Sequence, residues 1–85
     1  MKSEWLVKYE DSEIKIVNTW FHGEMLFVNN MLQDKRYGLA GSNLSGHIIN
    51  KEGKRENIKV NLGGSFKIDC NVFIDDNKVE VQKRK

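Results

Sequence analysis

The sequence predicts an all-β fold, a single-domain antiparallel β-sandwich of about seven short strands. Apolar residues recur with a period of two rather than 3.6, which is typical of strands that bury one face. Turn-forming residues separate these runs at short intervals, and no proline occurs in the 85 residues. A chain of this length supports one small core, so we expect a single domain over residues 1–82 and a basic tail at 83–85.

The first half of the chain contains four predicted strands. Residues 5–9 are assigned to a strand at a sheet edge, and residues 14–20 alternate between apolar and polar side chains. A turn at 22–24 leads to the short apolar run 25–28, which two asparagines close. The fourth strand covers residues 44–50, ahead of a polar turn that contains a glycine.

The second half has the clearest pattern. Residues 66–74 alternate over nine positions, with Phe73 as the one apolar residue on the outward side. Residues 57–62 and 78–82 repeat the alternation, and turns rich in glycine or in aspartate and asparagine join the three runs as hairpins. The sequence therefore predicts a C-terminal three-strand meander. The expected inward side chains are Ile58, Val60, Leu62, Phe66, Ile68, Cys70, Val72 and Ile74.

One long irregular segment is predicted, over residues 33–43, where polar, aromatic and glycine residues concentrate. A connection of this length is either a crossover between two sheets or a functional loop. We expect Asp34 and Arg36 to form an ion pair within it. The loop, which includes Tyr37, and the neighbouring Trp20–Phe21 turn form the most testable candidate site.

Composition and charge exclude several classes of protein. Hydrophobic residues make up 39% of the chain and charged residues 31%, which fits neither a disordered chain nor a membrane-spanning one. A single cysteine, Cys70, allows no intramolecular disulfide, and the N-terminal residues lack the apolar run of a signal peptide. We therefore expect a cytoplasmic protein without membrane insertion. The formal net charge of +2 comes from the basic tail.

No catalytic, cofactor-binding or metal-binding arrangement is predicted. His22 and His47 have no second ligand at the spacing of zinc motifs. Cys70 lies on the inward side of its strand, where a free cysteine usually acts as a small apolar filler. The glycines of the long segment lack the lysine and the helix of a phosphate-binding loop. We therefore do not expect an enzyme or a cofactor.

We expect instead a binding or protein-interaction module that self-associates through a strand edge or a sheet face. Phe73 and Phe27 would provide the apolar contact if their outward faces align. The remaining interaction candidates are Phe21, Tyr37, Asp34 and Arg36.

The alternative is a small β-barrel that binds single-stranded nucleic acid weakly, with exposed aromatic residues as stacking platforms. This function requires the basic residues Lys35, Arg36, Lys54 and Arg55 to converge on one surface. Without its tail the chain is close to neutral, which makes nucleic acid the less favoured partner.

Several short pieces of the sequence resemble known proteins. They are Val17-Asn18-Thr19-Trp20, Leu26-Phe27-Val28-Asn29, Leu32-Gln33-Asp34-x-Arg36-x-Gly38-Leu39, Leu44-x-Gly46, Ile58-Lys59-Val60-x-Leu62-Gly63-Gly64 and Cys70-x-x-Phe73-Ile74-Asp75. Together they resemble a group of small uncharacterised bacterial β-rich proteins and, more distantly, one domain of the Fas apoptotic inhibitory molecule family. The resemblance spans about residues 14–80 and implies a compact, mostly antiparallel β-sandwich that acts as an interaction module without catalysis. It transfers no functional residue.

Overall fold

A computed structural model describes residues 2–19, 23–37, 42–63 and 68–84. Within these ranges the chain forms nine β-strands and no helix. The strands are β1 (Lys2–Tyr9), β2 (Ser12–Thr19), β3 (Gly23–Val28), β4 (Met31–Arg36), β5 (Ser42–Ile49), β6 (Arg55–Gly63), β7 (Asp69–Ile74), β8 (Asn77–Val79) and β9 (Gln82–Lys83).

The strands form two antiparallel sheets, which confirms the predicted all-β sandwich. The five-stranded sheet has the order β4-β3-β2-β1-β9, and the four-stranded sheet has the order β5-β6-β7-β8. The predicted C-terminal meander is present as β6-β7-β8. Neighbouring strands within each sheet are consecutive in the chain, except β1 and β9.

The inward faces of the two sheets form one apolar core. Ile14, Ile16 and Leu26 of the five-stranded sheet have no solvent exposure, and Ile58 and Val72 face them from the other sheet. A fully buried side chain of this size contributes roughly 1.5–3 kcal/mol to the free energy of unfolding. The core also includes Trp5, Val7, Val28, Leu44, Ile48, Val60, Leu62 and Ile74.

Two hairpins use the same two-residue turn. Both turn residues have positive φ, 49° and 67° in Asn29-Asn30 and 49° and 66° in Asp75-Asp76. This geometry matches the twist of the flanking strands, and asparagine and aspartate tolerate it better than other side chains. The first residue of each turn also extends the sheet, because its side-chain oxygen accepts a hydrogen bond from a backbone nitrogen of the preceding strand of the sheet, β2 or β6. Those bonds join Asn29 Oδ1 to Glu13 N and Asp75 Oδ1 to Asn57 N, each at 2.9 Å.

The last strand changes sheets. β8 pairs with β7 over Asn77–Val79, and after two residues β9 pairs with β1 through Gln82 and Lys83. The Arg84 backbone nitrogen then bonds to the Glu4 carbonyl at 2.7 Å. β8 and β9 run in the same direction and form one bent strand. This strand joins the β8 edge of the four-stranded sheet to the β1 side of the five-stranded sheet. Lys83 and Arg84, assigned to a basic tail by the sequence, are therefore hydrogen-bonded to the five-stranded sheet.

The structure corrects three expectations for the first half of the chain. The segment 33–43 is not wholly irregular, because β4 covers Met31–Arg36 and β5 begins at Ser42. β4 has no alternating pattern because four consecutive residues, 33–36, are polar. It lies at the edge of the five-stranded sheet. β1 is not an edge strand, since β2 and β9 flank it. Gly23, expected in a turn, is the first residue of β3.

In the second half, the described part of the predicted strand 66–74 is a strand from Asp69 onwards. Ile68, expected to be buried, precedes the strand and is 36% exposed. The predicted strand 78–82 is divided between β8 and β9 because the chain crosses to the other sheet. Phe66 and Trp20 lie outside the described residues.

Candidate functional site

β4 and β5 are edge strands of different sheets, and side-chain-to-backbone hydrogen bonds join them where backbone pairing is absent. We call this contact the β4–β5 seam. The Gln33 Oε1 atom accepts a hydrogen bond from the His47 backbone nitrogen at 2.8 Å. The Asp34 Oδ2 atom accepts one from the Ser45 backbone nitrogen, also at 2.8 Å. These nitrogens lie on the outer edge of the four-stranded sheet, so the β4–β5 seam satisfies donors that could otherwise pair with another chain.

Asp34 makes two further contacts. Its Oδ1 atom accepts a hydrogen bond from the Lys35 backbone nitrogen at 2.8 Å and lies 3.7 Å from Arg36 Nε. The predicted pairing of Asp34 with Arg36 is therefore present, on a strand rather than in a loop. Arg36 is exposed, and an exposed pair contributes less than about 1 kcal/mol. The main structural contribution of Asp34 is thus its bond to β5.

Gly46 makes the close approach at the seam feasible. A Cβ atom on Gly46 would overlap Gln33 Oε1 and would lie 2.9 Å from Leu26 Cδ2. Any larger residue would therefore displace either the seam or the core. The requirement for glycine here comes from packing, since the backbone of Gly46 does not have positive φ.

Three large apolar side chains are exposed together at one end of the seam. The seam bonds show that β4 and β5 run antiparallel, so the start of β4 lies beside the end of β5. Met31, Leu32 and Ile49 occupy these positions and are 71%, 52% and 57% exposed. We call these three residues the corner patch. Exposed apolar clusters of this kind on a small protein often mark an interaction surface.

The predicted contact residues Phe27 and Phe73 do not align. Phe27 is half-buried on the outer face of the five-stranded sheet, where it pairs with Leu32 and has Lys15 Nζ 5.1 Å from its ring centroid. Phe73 is half-buried on the outer face of the other sheet, where it pairs with Lys59. Phe27 therefore adjoins the corner patch, whereas Phe73 belongs to a different surface.

Two further interaction candidates lie apart from the corner patch or outside the described residues. Tyr37 is 75% exposed just beyond the opposite end of β4, with Lys35 Nζ 5.1 Å from its ring centroid. Phe21 falls in a part of the chain that the structure does not describe.

The four basic residues considered for nucleic-acid binding fall into two separate pairs. Lys35 and Arg36 end β4 near the start of β5, whereas Lys54 and Arg55 precede and open β6 near the end of β5. β5 has eight residues and is about 24 Å long at 3.4 Å per residue, so roughly 20 Å separates the two pairs. These four residues do not form one groove.

A polar network lies at the end of the sandwich that contains the turn after β1. The Tyr9 hydroxyl donates to the Glu56 carboxylate, with both oxygens at 3.1 Å, and the Asn50 side-chain nitrogen donates to Glu56 Oε1 at 2.9 Å. The hydrogen bond to Glu56 raises the pKa of Tyr9 above 10.0, and desolvation and the nearby carboxylates act in the same direction. The network ties β1 to β6 and has the character of a structural contact.

Cys70 is half-buried against the core, as the alternation predicts for an inward side chain. Burial raises the pKa of its thiol to about 12. The thiol lines a shallow groove of about 360 Å³ with Trp5, Ile68 and Val81, beside the point where the last strand changes sheets. Among the described residues, no group of three or more histidine, cysteine or carboxylate side chains is placed to hold a metal ion.

No family model, curated protein or solved structure matches this chain. The resemblance to the Fas apoptotic inhibitory molecule family therefore stays a prediction. Within the described ranges, no helix of sufficient length and hydrophobicity to span a bilayer is present.

The corner patch escaped the sequence analysis because its residues lie on two strands that pair with other strands. One local signal points to part of it. Asn29-Asn30 is a two-residue hairpin turn, so Met31 and Leu32 must begin a returning strand. Nothing in the sequence indicates that the strand then lies beside Ile49, because the seam consists of side-chain bonds between two sheets.

Proposed function

We propose that this protein is a non-catalytic interaction module that self-associates weakly through the corner patch. The observation that supports this function is the exposure of three large apolar side chains, each more than half accessible, at one corner of an 85-residue protein. Burying such side chains against apolar partners is favourable, by about 25 cal/mol for each Å² removed from water.

A second copy of the chain is the occupant we propose, because charges of both signs flank the patch. Glu13 is exposed on the five-stranded sheet, next to the turn that precedes Met31. Arg55 is exposed on the four-stranded sheet, as the cross-strand neighbour of Ile49. A two-fold rotation about the patch places the side of one copy that carries Glu13 over the side of the other that carries Arg55.

The size of the patch sets the expected strength of the dimer. A stable interface buries about 800 Å² on each partner, which is far more than three side chains provide. We therefore propose a weak, concentration-dependent dimer, with a dissociation constant in the range from about 10 μM to 1 mM.

Sedimentation velocity between 10 μM and 1 mM tests the proposal. The unmodified protein should shift from monomer towards dimer, and the Leu32→Lys/Ile49→Lys variant should stay monomeric. Tyr37→Ser is the matched control, since it removes an exposed large side chain outside the patch and should leave the dimer intact. A strict monomer at 1 mM, or a dimer that the double lysine variant does not weaken, would contradict the proposal.

A charge exchange tests the two-fold arrangement separately. Glu13→Arg and Arg55→Glu should each weaken the dimer, and the variant that carries both changes should recover it. If the combined variant is as weak as the single ones, Glu13 and Arg55 do not face each other across the interface. Circular dichroism of each variant establishes that the sheets are intact.

A further inference from the structure

The outer face of the four-stranded sheet differs in character from the rest of the surface. It presents cations, amides, the Phe73 ring and the His47 imidazole from four adjacent strands. We call it the polar face. Its members are Asn43, Ser45, His47, Arg55, Asn57, Lys59, Asn61, Asn71, Phe73 and Lys78. Most of these side chains are exposed, so no described element covers the face.

The cations of the polar face lie towards the end that contains Phe73, and its acidic strand residues lie towards the end that contains Asn71. Arg55, Lys59 and Lys78 face outward there. The acidic residues Asp69 and Glu80 face the same side near Asn71, because Val79 and Val81 on either side of Glu80 pack against the core. Asp76, in the turn after β7, forms an exposed ion pair with Lys59 at 3.2 Å. Such a pair is weak in water and can exchange for another anion.

Phe73 occupies the middle of this face. Its cross-strand neighbours are Lys59 on one side and Lys78 on the other, so a half-buried ring lies between two cations. The spacing of neighbouring strands, about 4.8 Å, places the two lysines roughly 10 Å apart at the backbone. An aromatic ring with a cation on either side can stack on a base and bind the adjoining phosphates.

A shallow hollow lies over β5 and β6 on the same face, and Lys59 lies between it and Phe73. It has a volume of about 400 Å³, and His47, Arg55, Asn57 and Lys59 contribute to its lining. No carboxylate contributes to that lining among the described residues. The guanidinium of Arg55 and the side-chain amide of Asn57 offer directional hydrogen bonds, which phosphate oxygens and base edges both accept.

We infer that the polar face binds single-stranded nucleic acid, with Phe73 as the stacking platform and Arg55, Lys59 and Lys78 as the phosphate contacts. The large number of amide side chains and the ring favour a nucleic acid over an acidic protein, because stacking and base-edge contacts add to the charge attraction. The corner patch adjoins this surface at Ile49, the cross-strand neighbour of Arg55. The test therefore changes Lys59, Lys78 and Phe73, which the self-association proposed above does not use. Arg55, which borders both surfaces, is left unchanged in the test.

Three phosphate contacts predict a measurable salt dependence. The logarithm of the binding constant should fall against the logarithm of salt concentration with a slope of about −2, since each contact on a single strand contributes roughly −0.7. Removing two cations should reduce the slope to about −0.7.

Fluorescence anisotropy with a labelled 12-nucleotide single strand, at 20 mM salt and upwards, tests the inference. Lys59→Gln/Lys78→Gln should weaken binding at least tenfold and flatten the slope. The matched control, Lys15→Gln/Lys35→Gln, removes the same charge from the five-stranded sheet and should change binding less than twofold. Phe73→Leu should weaken binding at least threefold, and Phe27→Leu should not.

Three outcomes would overturn the inference. They are no binding at 20 mM salt, an equal loss in the two lysine double variants, and equal competition by polyglutamate, which would indicate an acidic protein as the partner. All four lysines lie on the surface, so their variants should fold. The lysine comparison therefore decides the question even if a phenylalanine variant is unstable.

Discussion

The Gln33 side chain occupies the space that a Cβ atom on Gly46 would need, and from that position it bonds to the backbone of His47. This side chain joins the two sheets, as Asp34 does one residue further along β4, and it also restricts the residue opposite. The same contact satisfies an edge donor of β5, so one amide group contributes both to sheet closure and to edge protection.

The first prediction concerns this contact. Gly46→Ala should lower the free energy of unfolding by about 1–3 kcal/mol because the new methyl group displaces Gln33 and presses on Leu26. Gln33→Ala alone should cost about 1 kcal/mol through the lost hydrogen bond. The double variant should be more stable than the sum of the two losses predicts, by at least about 0.5 kcal/mol. Urea denaturation of the four proteins measures this coupling.

Gly63 provides a matched control for that cycle. It ends β6, and no described atom lies within 4 Å of the place where its Cβ would stand. Gly63→Ala should therefore be neutral or slightly stabilising. If Gly46→Ala is equally harmless, the packing argument for Gly46 is wrong.

The second prediction compares neighbouring residues of one turn. Asn30→Gly should stabilise the protein by about 0.5–1 kcal/mol, because glycine adopts the positive φ of 67° without strain and Asn-Gly favours this hairpin. Asn29→Gly should instead destabilise it, because the hydrogen bond from the Glu13 backbone nitrogen to the Asn29 side chain is lost. Thermal unfolding of both variants measures the two shifts, and shifts of the same sign would refute the explanation.

The third prediction follows from the raised pKa of Tyr9. The folded protein holds this proton more tightly than the unfolded chain, so the stabilising contribution is complete below pH 10 and disappears as the pH rises through the raised value. The unfolding midpoint of the unmodified protein should therefore fall above pH 10. Tyr9→Phe and Glu56→Gln should reduce this fall.

Two background substitutions remove the other groups whose titration would overlap with that of Tyr9. Cys70→Ser removes the thiol, whose titration also lies at high pH, and Tyr37→Phe leaves Tyr9 as the one tyrosine in the sequence. In that background the phenolate absorbance should appear with a midpoint above 10.0, and Glu56→Gln should lower it. A midpoint that Glu56→Gln leaves unchanged would show that the hydrogen bond is not the main cause.

The fourth prediction concerns the reactivity of Cys70. Because burial raises the pKa of its thiol to about 12, the reactive thiolate is scarce at pH 8. Alkylation by iodoacetamide should be at least 100-fold slower in the folded protein than in urea, and its rate should keep rising up to about pH 12 as long as the fold persists. A rate that levels off near pH 9 would show that the thiol is exposed.

The meander could be predicted from sequence because each of its strands buries one face and leaves the other in water. The alternation that marks Ile58 and Val60 as inward is the same property that buries them, so the sequence and the structure agree there. The outward position of Phe73 follows from the same pattern. The turn at Asp75-Asp76 was also recognisable, because few residues adopt positive φ at low cost.

Two features of the fold have no such local signal. β4 holds its place through side-chain bonds, and its polar residues Gln33 and Asp34 resemble those of a loop. The sequence also does not show that the last strand is divided between the two sheets, because a strand has the same period of two in either sheet. The corner patch depends on the first of these features, which is why Ile49 could not be connected with Leu32 in advance.

The bent last strand also determines how the domain responds to force. Lys2 begins β1 and Arg84 follows β9, and the antiparallel pairing of these strands places both residues at the same end of the sandwich. Pulling them apart loads the β9–β1 hydrogen bonds one after another, as in opening a zipper, rather than all at once in shear. We therefore expect low mechanical resistance in this direction, with β9 peeling away before the core opens.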